Sequence, residues 1–448
     1  MVPTSIQIYH RATYHYSPPR GTMIYYDLSA FLGQVRDYEK TGRLYAVDQA
    51  DFYDPGSRVY KYPATFAAIL RPMAKDRLRP IVRKLLPVNF ALLLLTLGVL
   101  LVYLKPPPVR AMFMILTFLN WQPFWESLGG MQLEPAMLLL LSVSAVLLGR
   151  EGGRENPGAR SLAFWAGVPL GLAGALKVYP FGLALYFVVR RKWWVLPGIA
   201  AGFAAALIHT SLTFSFGVNV EYFTRILPRL GGTSLNWENV SLLGSLGRLV
   251  LLLFGGPAAL NQAVTGPYEM LETVKPALVR PTALALAGIG ALSLAWLTAK
   301  RARRVEAASM EAPEVSGAGH ETVDVRGLRE MSWFGAAICL YLFLMPTSWV
   351  DYQTLLALPT LVAFSGLPAW PRAKGSWGLV VAVAFSAVFG SYTRLVEEHH
   401  FLIAVWRTWM PLALWWVLLR PGPGGCGRGS RGSLPGGRSP ARVVEVAE

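Results

Sequence analysis

Apolar runs recur along most of the chain, and they constrain its fold more than any other feature. They lie at about 85–104, 109–123, 133–149, 161–176, 178–190, 194–214, 281–299, 332–346, 352–367, 376–392 and 402–419. A helix crossing a bilayer needs about 20 predominantly apolar residues, with a range of about 17–25. In hydrocarbon every backbone polar group must be satisfied internally, as it is within a helix. Several are shorter than a full crossing and require tilted, broken or protein-buried helices. The expectation is an all-α polytopic membrane protein, a bundle of about 11–12 transmembrane helices with a cavity on its outer face.

Composition agrees. Apolar residues make up 53% and charged residues 15%, against about 25% charged in soluble proteins. A soluble enzyme with this surface would aggregate. The net charge of +16 sits mostly in loops and in a tail. That is how a chain sets its membrane orientation, so no nucleic-acid partner is expected. Two cysteines, Cys339 and Cys426, build neither a disulfide framework nor a zinc site. Glu397-Glu398-His399-His400 is contiguous rather than spaced on one helix face, so no metal is expected there. No Gly-Lys-Ser/Thr loop or Gly-x-Gly-x-x-Gly turn marks a nucleotide-binding domain.

Three regions follow. Residues 1–84 form an extracytoplasmic N-terminal region, with no ordinary signal peptide expected. Residues 85–420 form the bundle, and the Gly/Pro/Arg-rich 421–448 form a disordered cytoplasmic tail. The basic clusters Arg190-Arg191-Lys192 and Lys300-Arg301 place those loops in the cytoplasm and the loops at 124–132, 215–241 and 347–351 outside. The run at 242–258, with Arg248 at its centre, is expected to lie in the interface, because a central arginine costs roughly 3 kcal/mol. Residues 71–84 carry six basic residues against Asp76. They are expected to form an amphipathic helix on anionic headgroups.

The unusual segment is 21–70. It holds six acids and five bases on an otherwise basic chain, interleaved with Tyr25, Tyr26, Tyr38, Tyr45, Phe52, Tyr53, Tyr60 and Tyr62. Aromatic faces beside acids suit sugars; a solvated loop with an interfacial tyrosine belt is the plainer alternative.

The order of residues adds to this. Tyr26-Asp27-Leu28, then Thr41-Gly42-Arg43-Leu44-Tyr45, then Tyr60-Lys61-Tyr62-Pro63-Ala64 and Arg71-Pro72 resemble the first outer loop of glycosyltransferase family 87. Gly171-Leu-Ala-Gly-Ala-Leu-Lys177-Val-Tyr-Pro180, Asn239-Val-Ser241-Leu-Leu-Gly244 and Met345-Pro346-Thr-Ser348-Trp349 resemble further motifs of the same family, in the same order. Departures are Ala64 for a second proline, Met131-Gln132-Leu133-Glu134 for Gly-Gln-x-Asn, and Asp351 where many members carry histidine. The family pattern places a span before the loop acid, whereas the 26 residues before Asp27 hold no apolar run.

The resemblance implies a GT-C enzyme of the polyprenyl-phosphate-mannose-dependent, α-mannosyltransferase-like kind. Such an enzyme moves a hexose, foremost mannose, from a polyprenyl-phosphate sugar to an extracytoplasmic glycolipid or glycan. Inversion, no cofactor, no metal and a plasma-membrane location go with it. Asp27 is then the base, with a helix N-cap as its bland alternative. Lys177, Arg77 and Arg79 are offered for the donor phosphate, with a snorkelling lysine as the alternative for Lys177. Tyr45, Tyr62, Gln132, Asn239, Ser241, Trp349 and Asp351 are offered as substrate contacts. Asn239 also opens a glycosylation sequon or caps a helix, and Trp349 also suits an interfacial belt. The rival reading is a transporter or lipid flippase. Against it stand few ionisable residues within spans and no internal repeat.

Overall fold

The computed structural model describes residues 26–45, 60–152, 158–236, 239–265, 277–311, 325–346, 350–366, 380–384 and 400–419, with the single residues 271, 274, 348 and 378. The acids at 48, 51 and 54, Trp349, Glu397 to His399 and the tail 421–448 lie outside them.

Every described element is helical, and no strand occurs among the described residues. In chain order these are α1 (Tyr26–Thr41), α2 (Ala64–Leu70), α3 (Leu78–Leu104), α4 (Pro108–Leu119), α5 (Gln122–Gly130), α6 (Glu134–Gly152), α7 (Ala159–Leu176), a 3-10 turn (Tyr179–Leu183) running into α8 (Ala184–Val189), α9 (Val195–Thr213) and α10 (Phe216–Glu221). There follow α11 (Leu242–Thr265), α12 (Val279–Glu311), α13 (Val325–Leu344), a 3-10 turn (Val350–Leu356), α14 (Ala357–Gly366) and α15 (His400–Leu418). Among the described residues, five helices are long and apolar enough to cross a membrane: Leu78–Leu104, Ala159–Leu176, Val195–Thr213, Leu242–Val264 and Val279–Arg301. The chain is an all-α membrane protein.

Three expectations meet a different local structure. The run at 109–123 becomes the short helices α4 and α5, because Pro107-Pro108 and Pro123 start new helices. The basic stretch 71–84 is no helix of its own. It is a 3-10 turn, Arg71–Met73, followed by the first turns of α3. The run at 242–258 belongs to α11, which is kinked at Gly256 (φ 78°). Its Arg248 is fully buried and donates to the Asn236 carbonyl at 2.9 Å and to Ser245 Oγ at 3.0 Å, so its charge does not face lipid.

The core forms where small residues let backbones meet. Gly167 and Gly171 on α7 face Gly198 and Gly202 on α9, so that a Cβ at any of them would strike the opposite helix's backbone. Both pairs have small-xxx-small spacing, which brings membrane helices into contact without any hydrophobic driving force between them. By contrast α12 turns Leu286, Ile289, Leu292 and Trp296 outward. Such a stripe suits lipid and would be a liability in water.

Candidate active site at the bundle's end

Four helix ends meet at one place. α5 stops at Gly130 because Met131 adopts a left-handed conformation (φ 54°). The chain then turns through Gln132 and restarts as α6 at Glu134-Pro135. α7 stops at Lys177, whose backbone is extended, and Pro180 opens the 3-10 turn beyond it. α1 begins beside Asp27.

The side chains form a continuous chain of polar contacts. Gln132 donates through Nε2 to Asp27 Oδ2, across 105 residues of sequence. Its Oε1 accepts from Lys177 Nζ at 3.2 Å and from the Tyr62 hydroxyl at 3.5 Å, the limit of a hydrogen bond. Lys177 also pairs with Glu134 Oε1 at 2.5 Å. Its ammonium lies 4.9 Å from the Tyr62 ring centre and 4.7 Å from that of Tyr352, and Tyr179 stacks on Tyr352 at 4.7 Å. Cation–π contacts of this kind are worth about 2 kcal/mol when desolvated. Lys177 is 2% exposed and Glu134 0%, so the pair is sealed. Asp27 keeps part of its surface open.

Burial pushes the Asp27 carboxyl above the usual carboxylate range; Lys177 and the Gln132 bond pull it back, and Glu134 pushes it up. Lys61, partly exposed, lies close enough for its charge to act on Asp27. Burial lowers its affinity for a proton, and Asp27 raises it again.

Of the remaining residues offered from sequence, Tyr45, Asn239 and Ser241 are buried within hydrogen bonds of the fold itself. Tyr45 is buried, donates to the Tyr62 carbonyl at 3.0 Å and lies against the rings of Tyr60 and Tyr222. It offers no open face to a sugar. Asn239 is fully buried. It accepts from the Ser348 and Ser241 amides at 2.9 and 3.2 Å and donates to the Ser234 carbonyl at 2.7 Å. Ser241 donates to the Pro346 carbonyl at 3.0 Å and accepts from the Gly244 amide at 3.0 Å. The Asn-x-Ser segment therefore staples one loop to the Pro346–Ser348 turn and starts α11. Gly244 is required because a Cβ there would meet the Asn239 amide at 2.5 Å.

Arg77 and Arg79 are exposed at the start of α3. Their segment is tied to α1 by Arg36, which donates to the Ala74 and Asp76 carbonyls at 2.7 Å. Arg36 lies nine residues along α1 from Asp27, about 14 Å at 1.5 Å per residue. The two arginines are thus not gathered with the Asp27 cluster. Trp349 lies outside the described residues, and Asp351 falls in the 3-10 turn that carries Tyr352.

Sequence reading missed Glu134, Tyr352 and Lys61. Glu134 was visible only as a departure from the family pattern, although its place before Pro135 marks a helix start, as Lys177 before Pro180 marks a break.

At the end of its bundle this helical membrane protein carries a partly exposed carboxyl held by an amide, which a buried ion pair holds in turn. The chain belongs to glycosyltransferase family 87: that family's model matches residues 60–313, more than half of its length. It is thus a membrane glycosyltransferase. Gln132, Lys177 and Asn239 fall within the matched residues; Asp27, Trp349 and Asp351 fall outside them. No curated protein and no solved structure matches the chain.

Proposed function

We propose that the enzyme transfers a hexose, foremost mannose, from a polyprenyl-phosphate sugar to a hydroxyl of an extracytoplasmic glycolipid or glycan, with Asp27 as general base. The observation that carries this reading is the state of Asp27. Its carboxyl is partly open, oriented through one oxygen by Gln132, and raised in proton affinity by burial. An efficient base needs a proton affinity near the working pH and a fixed position.

Asp27 takes the acceptor's hydroxyl proton. The acceptor oxygen bonds to the anomeric carbon, and the bond from that carbon to phosphate oxygen breaks. The phosphate leaves with the electron pair already stable as an anion, so no general acid is needed. Attack opposite the leaving group inverts the configuration. The chemistry calls on no cofactor or metal.

For the donor phosphate we favour Lys61 over Lys177, Arg77 and Arg79. The charge of Lys177 is committed to Glu134 inside the protein, and the arginines are remote. Lys61 is partly exposed and acts on Asp27.

The test is transfer from labelled polyprenyl-phosphate mannose to a glycolipid in proteoliposomes holding the full chain. Asp27→Asn should lower kcat by about a hundredfold or more. Wild-type rates in that variant would remove Asp27 as the base. No transfer by the wild type with any lipid-linked hexose would remove the donor class.

A further inference from the structure

We infer that Glu134 is a positioning residue of this site: it anchors the lysine that holds Gln132 against Asp27, and it opposes that lysine's charge. The inference rests on the reading of Asp27 as base.

The geometry runs in one line, from Glu134 to Lys177, Lys177 to Gln132 and Gln132 to Asp27. Each member is fixed by a helix end, as described above. Glu134 has no exposed surface, and among the described residues its Oε2 has no hydrogen-bond partner. A buried carboxylate is expensive unless paired, and one left half-satisfied marks a place where stability has been given up. A purely structural link between α6 and α7 would be served as well by apolar side chains of similar volume. What the acid supplies is charge beside Lys177.

The charged and titratable groups facing Asp27 are Lys177, Glu134, Lys61 and Tyr62. Tyr62 is held neutral, because burial pushes its phenol well above the usual range. Without Glu134, Lys177 and Lys61 would together favour the ionised carboxylate and make it a weak base. With Glu134 present, Lys177 can orient the Gln132 amide while part of its pull on Asp27 is opposed. Glu134 thus keeps the orientation that a buried lysine gives and offsets part of its field.

Glu134→Gln keeps the shape and removes the charge. In the full-length enzyme its pH–rate profile for kcat/KM should move its acid limb to lower pH, and kcat on the plateau should fall about tenfold. The donor KM should stay unchanged. A second readout needs no activity. Dicyclohexylcarbodiimide modifies protonated carboxyls in apolar surroundings, and the Asp27 adduct is read by peptide mass. Its pH dependence should move in the same direction in Glu134→Gln. In the double variant Glu134→Gln, Lys177→Gln, both charges are gone and the titration should return toward wild type; that variant also serves if the single one fails to fold. Identical labelling curves for wild type and Glu134→Gln would overturn the role of Glu134 while leaving Asp27 as base. Wild-type transfer by Asp27→Asn would overturn the base reading and this inference together.

Discussion

Asp27 sits between opposing influences. Desolvation favours its protonated form, while Lys177, Gln132 and Lys61 favour the carboxylate and Glu134 opposes them. Burial dominates, so its proton affinity lies above the ordinary carboxylate range. Transfer should therefore fall away as pH drops through that raised value, because protonated Asp27 cannot accept a proton. The alkaline side should stay flat until another group titrates. A pH–rate profile of kcat/KM with saturating acceptor checks this; an acid limb within the ordinary carboxylate range would contradict it. Lys61→Gln should raise the donor KM about tenfold, the worth of one charge-assisted hydrogen bond, with kcat nearly unchanged. Steady-state kinetics with varied donor decides it, and an unchanged KM would exclude Lys61 as the phosphate's partner.

At the scale of elements, the α7–α9 contact sets where Lys177 stands. Gly171 lies within two turns of the helix end that carries Lys177, and its hydrogen faces the Ile199 carbonyl. Gly171→Leu must push α9 away, since the obstruction is backbone and cannot rotate aside. We expect a large loss of folded protein, above the 1–3 kcal/mol typical of overpacking, seen as a lowered Tm and yield in detergent. Gly33→Ala on α1 is the matched control: nothing lies within 4 Å of a Cβ there. It should be neutral or gain up to about 1 kcal/mol from helix propensity. Both Gly-xxx-Gly spacings could be seen in the sequence. Which glycines face each other could not, because each lies in a run that is apolar all round. Arg71 shows the same limit. It appears in sequence as a basic residue before a proline, but it pairs with Glu39 at 2.6 Å and lies over the rings of Tyr38 and Phe214 at 5.6 and 5.4 Å. It clamps α1 to the end of α9.

At the scale of the molecule, polar clusters mark the two ends of α6. Glu134 belongs to the Asp27 site. Glu151 pairs with Lys192 at 2.7 Å, and Lys192 also meets Glu330 at 3.2 Å. Seventeen residues of helix separate the two glutamates, about 26 Å, close to the hydrocarbon thickness of a bilayer. The orientation expected from the loop charges puts the Asp27 end outside and the Lys192 end inside. In a background with Cys426→Ser, an impermeant maleimide should label Lys40→Cys on intact cells and Arg191→Cys only after permeabilisation. Cys339 is buried and should stay silent. Labelling of both from one side would refute this orientation.

The sequence by itself determined the class. Recurrent apolar runs leave a helical membrane protein as the stable outcome, and ordered motifs such as Lys61-Tyr62-Pro63 and Lys177-Val-Tyr-Pro180 carry the family. Asp27, Gln132, Lys177 and Tyr62 were all legible as candidates. Their mutual relation was not. Asp27 and Gln132 meet across 105 residues and Lys177 and Glu134 across 43, with no period linking them, because each contact is made where helices stop rather than along a helix face. Only the tertiary structure shows that Lys177 pairs with a buried Glu134, that Tyr45 and Asn239 are buried among hydrogen bonds of their own, and that Glu134 joins the line of contacts leading to Asp27. The reason is physical: apolar patterning places helices in a membrane, but the partner of a buried charge depends on which helix ends converge.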